Sequence, residues 1–207
     1  MSRRRQVAVI LLCLLLVVLV VWLDHSPVRR RWQRPPQSQE QWAAQDFEKY
    51  HAKAFIVARV IDGDTIDISI PDGEYSHTRI RLLGIDAPET RSEKDGVMYF
   101  GAQAAEFAGE AALGKQVQVY LDKASRTRGK YGRLLAYVRL PDGQFLNEVL
   151  VAAGFAYADL RFRHSIYHKY KQLEAVARSQ KRGLWQKVTR EQLPEWLQRM
   201  EPNLLNK

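Results

Sequence analysis

Hydrophobic and polar positions alternate most regularly between Phe55 and Ile70, where Ile66, Ile68 and Ile70 interleave with Thr65, Asp67 and Ser69. A period of two sends successive side chains to opposite faces, so this stretch predicts strands, the second of them half-buried. Asp64 shares the parity of the isoleucines and is aimed inward, where a carboxylate needs a partner. Pro71-Asp72-Gly73 turns the chain into a third strand over residues 77–85. The period then becomes helical. Phe100, Ala104, Phe107 and Ala111 share one face of a helix over 99–113, with Gly114 as its stop. Strands are expected over 116–121 and 134–140, a short helix over 147–153 closed by Gly154, and a longer one over 166–181 ending at Gly183. Five strands with helices inserted and appended describe an α+β domain compatible with a small barrel. Trp196, Leu197 and Met200 mark residues 188–207 as a tail helix.

The first 53 residues follow neither pattern. Arg3, Arg4 and Arg5 precede an uninterrupted apolar run from Val7 to Leu23, about 17 residues and at the short end of what spans a bilayer. No small-x-small cleavage signal follows Leu23, which favours an uncleaved anchor over a removed signal. A basic leader before such an anchor leaves the following domain on the non-cytoplasmic side. Pro27, Pro35, Pro36 and a Gln-rich stretch then read as a polar tether over 24–53, with a short helix near Gln41 to Tyr50. The expected organisation is an anchor over 1–23, this tether, a globular domain over 54–187 and the tail.

Charge adds a partner class. Among 207 residues, 32 Lys and Arg outnumber 23 Asp and Glu, a net charge of +9 that favours a polyanion such as nucleic acid or an anionic membrane surface. The single cysteine, Cys13, excludes an intrachain disulfide. His164 and His168 stand four apart but lack the Glu of a His-Glu-x-x-His zinc motif and read as a surface pair. Lys169, Lys171 and Arg178 read as a solvated helix face.

The candidate chemistry sits at strand ends. Asp62-Gly63-Asp64-Thr65 closes the first strand, and Arg81-Leu82-Leu83-Gly84-Ile85-Asp86-Ala87-Pro88-Glu89 closes the third. Carboxylates gathered in one small site repel one another unless a cation sits among them, and arginines beside them suit an anionic substrate. Hard oxygen donors are supplied here and Cys and His clusters are missing, which suits a metal such as Ca2+ that prefers oxygen ligands. Either short motif alone is more often an ordinary turn.

Together with Lys130-Tyr131-Gly132-Arg133, Asn147-Glu148-Val149-Leu150-Val151 and Arg182-Gly183-Leu184-Trp185, these segments resemble the staphylococcal nuclease (thermonuclease) family over residues 54–185. The resemblance implies an OB-fold five-stranded barrel with three helices and Ca2+-dependent hydrolysis of phosphodiester bonds in DNA and RNA. By motif it assigns Asp64, Asp86 and the backbone carbonyl of Ala87 to the Ca2+, although the family often has Thr where Ala87 stands. It implies Glu89 as general base or water-orienting group, Arg81 and Arg133 as the arginines on phosphate, and Lys130 and Tyr131 as substrate contacts. Two departures stand out: a longer loop over 126–130, and Leu160 and Phe162 in place of the family's nucleotide-stacking tyrosines. The alternative from another class is a catalytically inactive OB-fold module that binds nucleic acid or protein at the membrane. Such modules lose members of the acidic and arginine set, and none of Asp64, Arg81, Asp86, Glu89 or Arg133 is missing here.

Overall fold

Five strands close into a barrel in the order β1-β2-β3-β6-β5. They are β1 (Lys53–Asp62), β2 (Thr65–Ile68), β3 (Thr78–Leu82), β5 (Gln116–Tyr120) and β6 (Leu134–Arg139). A two-residue pair, β4 (Ile85–Asp86) with β7 (Tyr157–Ala158), lies outside the barrel. The helices are α1 (Gln39–Tyr50), α2 (Gly101–Ala112), α3 (Leu146–Ala153), α4 (Tyr167–Ser179) and α5 (Glu195–Met200). This computed structural model describes residues 39–90 and 98–205, together with Leu15. The α+β class and the five-stranded barrel agree with the alternation in the sequence and are consistent with an OB fold.

The expected anchor over 1–23, Leu15 apart, lies outside the described residues, and among the described residues no helix is long and apolar enough to cross a membrane. One compact unit spans Ala43–Lys207; of the other, Met1–Trp42, the described residues are Leu15 and the first turn of α1. The expected tether therefore folds from Ala43 onward: Asp46 and Tyr50 are buried, and Tyr50 Oη lies 3.0 Å from Thr78 Oγ1.

The barrel interior is filled from alternate positions, with Ile66, Ile80, Val119, Leu134, Ala136 and Val138 all fully buried. β2 is buried on both faces rather than one, because Arg59 and Arg79 reach over Asp67 from the neighbouring strands at 2.7 and 2.8 Å. β3 stops at Leu82, short of the expected 85, since Gly84 turns the chain at φ +79°. Only glycine fits there: the conformation is left-handed, and a Cβ would overlap the His164 imidazole. His164 is thus buried under Gly84, with Nδ1 2.9 Å from Tyr137 Oη, whereas its expected surface partner His168 is exposed. Fully buried Asn147 staples this turn to the barrel, donating to Leu83 O and Ala136 O and accepting from Val138 N.

The tail helix is confined to α5, six residues between Pro194 and Pro202, preceded by a 3-10 turn over Arg190–Gln192. Leu193, Leu197 and Leu204 anchor the tail in the core. Lys169, Lys171 and Arg178 are paired with Glu148, Glu201 and Glu174, at 2.6, 3.6 and 3.9 Å.

Glu174, on α4, is buried and accepts a 3.0 Å hydrogen bond from Ala158 N. Burial pushes its carboxyl up to about 7; the Ala158 amide, Arg178 and Lys171 pull the other way, and Glu201 adds to the rise. Between pH 4.5 and 7 the folded chain therefore holds a proton here that the unfolded chain has lost. That contribution is complete below pH 4.5 and disappears as pH rises through 7, a loss of up to about 3 kcal/mol. Glu174→Gln keeps the acceptor and should remove this fall. Urea unfolding of parent and variant at pH 5 and pH 8 checks it; equal pH slopes would contradict it.

Candidate active site

The turn after β1 is built to hold Asp64. Gly63 packs so closely that an added Cβ would stand 2.7 Å from Ala87 Cβ and 2.8 Å from Ala104 Cβ, which fixes the turn against α2 and the segment after β4. Asp62 Oδ1 accepts from Asp64 N at 3.0 Å, an Asx turn. The buried Asp64 carboxylate then accepts from Thr65 Oγ1 at 3.0 Å and from Ala87 N at 2.6 Å. Strand register sets Arg81 opposite Thr65, and its guanidinium reaches both Asp64 Oδ2 and Asp86 Oδ1. One cation thus bridges two carboxylates, with side-chain exposures of only 15% for Arg81, 5% for Asp64 and 16% for Asp86.

Asp86 is held from three sides. β4 fixes its backbone opposite Tyr157, Arg161 Nη2 lies 3.2 Å from Oδ1, and Trp196 Nε1 donates to Oδ2 at 2.7 Å. Glu89 stands exposed at the rim. Partial desolvation and the charges of Asp62 and Asp86 raise its carboxyl above the ordinary range, against the pull of Arg81 and Arg133. Asp62, half-buried, is raised chiefly by desolvation, against Arg81, Thr65 and Arg133. Arg133 Nη1 is 3.5 Å from Thr65 Oγ1, and among the described residues no carboxylate lies within ion-pair distance of it. Burial and the neighbouring charges of Arg81 and Arg79 hold its guanidinium below the usual arginine value.

The longer loop before Arg133 is pinned rather than loose. Arg128 bridges Asp46 of α1 and Asp72, and its Nη1 donates to Gly132 O at 3.0 Å. Gly129 N donates to Arg133 O at 2.9 Å, so the backbone that presents Arg133 is fixed on both sides. Exposed Tyr131 sits under the cations of Lys130 and Arg133, 5.3 and 5.9 Å from its ring centroid. Leu160 is buried and has no face for a base, whereas Phe162 is 56% exposed. A cleft of about 390 Å3 continues from Arg133 and Tyr131 along Arg79, Arg59, His77 and Tyr75.

The structure therefore brings Asp64, Arg81, Asp86 and Ala87 into contact, with Glu89 and Arg133 close enough to act on the same charges. Lys130 and Tyr131 stand beside Arg133 on the loop. Sequence reasoning passed over Asp62, Arg161 and Trp196. Asp62 is visible in its motif, but the signals for the other two are only a basic residue and an apolar tail.

The sequence profile of the staphylococcal nuclease homologue family matches residues 79–187, from β3 to the 3-10 turn at Gly183–Gln186. The chain belongs to this family. An uncharacterized endonuclease of Escherichia coli is 34% identical over 149 residues, which cover 69% of this chain and 82% of that protein. The thermonuclease of Staphylococcus hyicus is 34% identical over 134 residues, 64% of this chain and 76% of its own. The SPbeta prophage-derived endonuclease YokF of Bacillus subtilis is 34% identical over 131 residues, 62% of this chain and 43% of its own. The chain is accordingly a nuclease, a phosphodiester hydrolase.

Proposed function

We propose that this nuclease cleaves DNA and RNA with Ca2+ as its cofactor, using Asp64, Asp86, Glu89, Arg81 and Arg133. The observation that carries the reading is the convergence of two largely buried carboxylates on one guanidinium. Asp64, Asp86 and Asp159 share the two positive charges of Arg81 and Arg161 there, and Asp62 and Glu89 nearby are pushed toward their protonated forms. Such a site has unmet demand for a cation, and all its donors are hard oxygens. Among the described residues no three Asp, Glu, His or Cys side chains form a ready-made cage, so the fit is to two carboxylates completed by backbone and water, as Ca2+ accepts. Asp64, Asp86 and the Ala87 carbonyl would hold the ion, which when bound polarises a phosphoryl oxygen and the attacking water.

The remaining work belongs to the chain itself. Arg133, without a carboxylate of its own among the described residues, presents its forked donors to a substrate phosphate, and Arg81 adds positive charge where the phosphoryl oxygens gain negative charge. Glu89 at the rim accepts or directs the proton of the attacking water. Tyr131 and Lys130 flank the nucleotide, and the Arg79–Arg59 cleft carries the strand onward. The apolar run Val7 to Leu23 behind three arginines supports an N-terminal anchor with the nuclease on the non-cytoplasmic side.

The test is cleavage of labelled DNA and RNA oligonucleotides by the full chain, in Ca2+ and in excess chelator. Cleavage of both in Ca2+ and of neither in chelator is expected. Undiminished cleavage in chelator would overturn the metal assignment.

A further inference from the structure

The C-terminal tail reaches into the active site. Trp196 lies outside residues 79–187 that match the family profile, yet its indole touches a carboxylate of the family's own site. The ring is buried, 7% exposed, and an indole N–H is a donor with no acceptor capacity. Buried in this way it needs an acceptor, and it finds Asp86 Oδ2 at 2.7 Å. The opposite oxygen, Oδ1, faces Arg81 and, through that guanidinium, Asp64. Arg161 completes the arrangement: its guanidinium lies over the Trp196 ring at 4.7 Å, pairs with Asp159 at 2.8 Å and reaches Asp86 Oδ1 at 3.2 Å.

We infer that Trp196 is a positioning residue for metal binding, a tail-borne clamp that occupies Oδ2 and fixes Asp86 so that Oδ1 alone is turned toward Asp64. This rests on the proposed Ca2+ role of Asp86. The physical reason is conformational: a carboxylate free to rotate about its last torsion presents the wrong oxygen part of the time. A donor on one oxygen removes that freedom before the ion arrives. Charge-assisted bonds of this kind are the stronger ones, and losing an outer-shell partner typically weakens metal affinity about 10- to 100-fold. The six-residue α5 places the indole there because Leu193, Leu197 and Leu204 bury the tail around it.

Calorimetric titration of Ca2+ into the full-length parent and Trp196→Phe tests this. The phenyl ring keeps most of the buried apolar surface and the stacking partner of Arg161 but lacks the N–H. The expected result is a Ca2+ dissociation constant raised about tenfold or more, with melting in chelator little changed and oligonucleotide KM at saturating Ca2+ preserved. A lowered melting temperature with unchanged Ca2+ affinity would make Trp196 merely structural and overturn the inference. If the variant does not fold, replacing the indole by its benzothiophene isostere, which keeps ring size and lacks the N–H, decides in the same titration. A parent that takes up no Ca2+ would instead overturn the metal assignment itself, an outcome distinct from equal affinities in parent and variant.

Discussion

Glu89→Gln should cleave a saturating oligonucleotide about 10²–10⁴-fold more slowly than the parent, the span expected when a positioned acid–base group is lost. The amide copies the size of the carboxylate and leaves Asp64, Asp86 and their bonds untouched, so the variant should fold normally. Ca2+ affinity should stay near the parent's, because Glu89 is exposed at the rim while buried Asp64 and half-buried Asp86 lie deeper. What disappears is the group proposed to take or steer the water's proton. Its environment suits that work: desolvation and the charges of Asp62 and Asp86 raise its carboxyl, which makes the ionised form a stronger base. Single-turnover cleavage at saturating Ca2+ isolates the chemical step from product release. A Glu89→Gln rate equal to the parent's would remove Glu89 from the mechanism.

Arg81→Met should have two effects that one measurement alone would confuse. Turnover should fall about 10²–10³-fold, the usual cost of losing one preorganised donor to developing charge. Stability in chelator should also fall, because Arg81 is the cation between Asp64 and Asp86 and its loss leaves two poorly exposed carboxylates facing each other. Breaking a buried pair from one side costs about 3–5 kcal/mol. The lower figure is the better guide, since Asp86 keeps Arg161 and Trp196 and Asp64 keeps Thr65 and the Ala87 amide. Ca2+ should stabilise Arg81→Met more than it stabilises the parent, because the ion answers the charge that Arg81 no longer does. Paired thermal melts with and without Ca2+, set beside kcat, separate the two effects. A variant as stable as the parent in chelator would show that Arg81 does not hold the carboxylates together.

Much of this was legible in the chain. Alternation at Ile66 and Ile68 located β2, and the parity of Asp64 with them agreed with its burial. Those readings depend on neighbours in sequence, which the backbone period fixes. The third strand ended three residues early because Gly84 is held in a left-handed turn by His164, whose Cα is eighty positions away. The same contact buried a histidine that local spacing placed at the surface. Asp67 made β2 look half-exposed, but a carboxylate can be covered by arginines from both adjacent strands. Arg128, in the longer loop over 126–130, carries no local sign of its pairing with Asp46 and Asp72, which come from distant segments. Trp196 is the extreme case: an apolar stripe in a short tail says that the tail packs, and nothing in it says that its one polar atom meets Asp86.

The central claim, that Asp64 and Asp86 hold the catalytic ion, is tested most directly by initial cleavage rate against Ca2+ concentration for Asp64→Ala and Asp86→Ala beside the parent. Each variant should need far more Ca2+ to reach half its maximal rate, and added Ca2+ should recover part of the lost activity. Half-saturation at the parent's Ca2+ concentration in both variants would contradict the account.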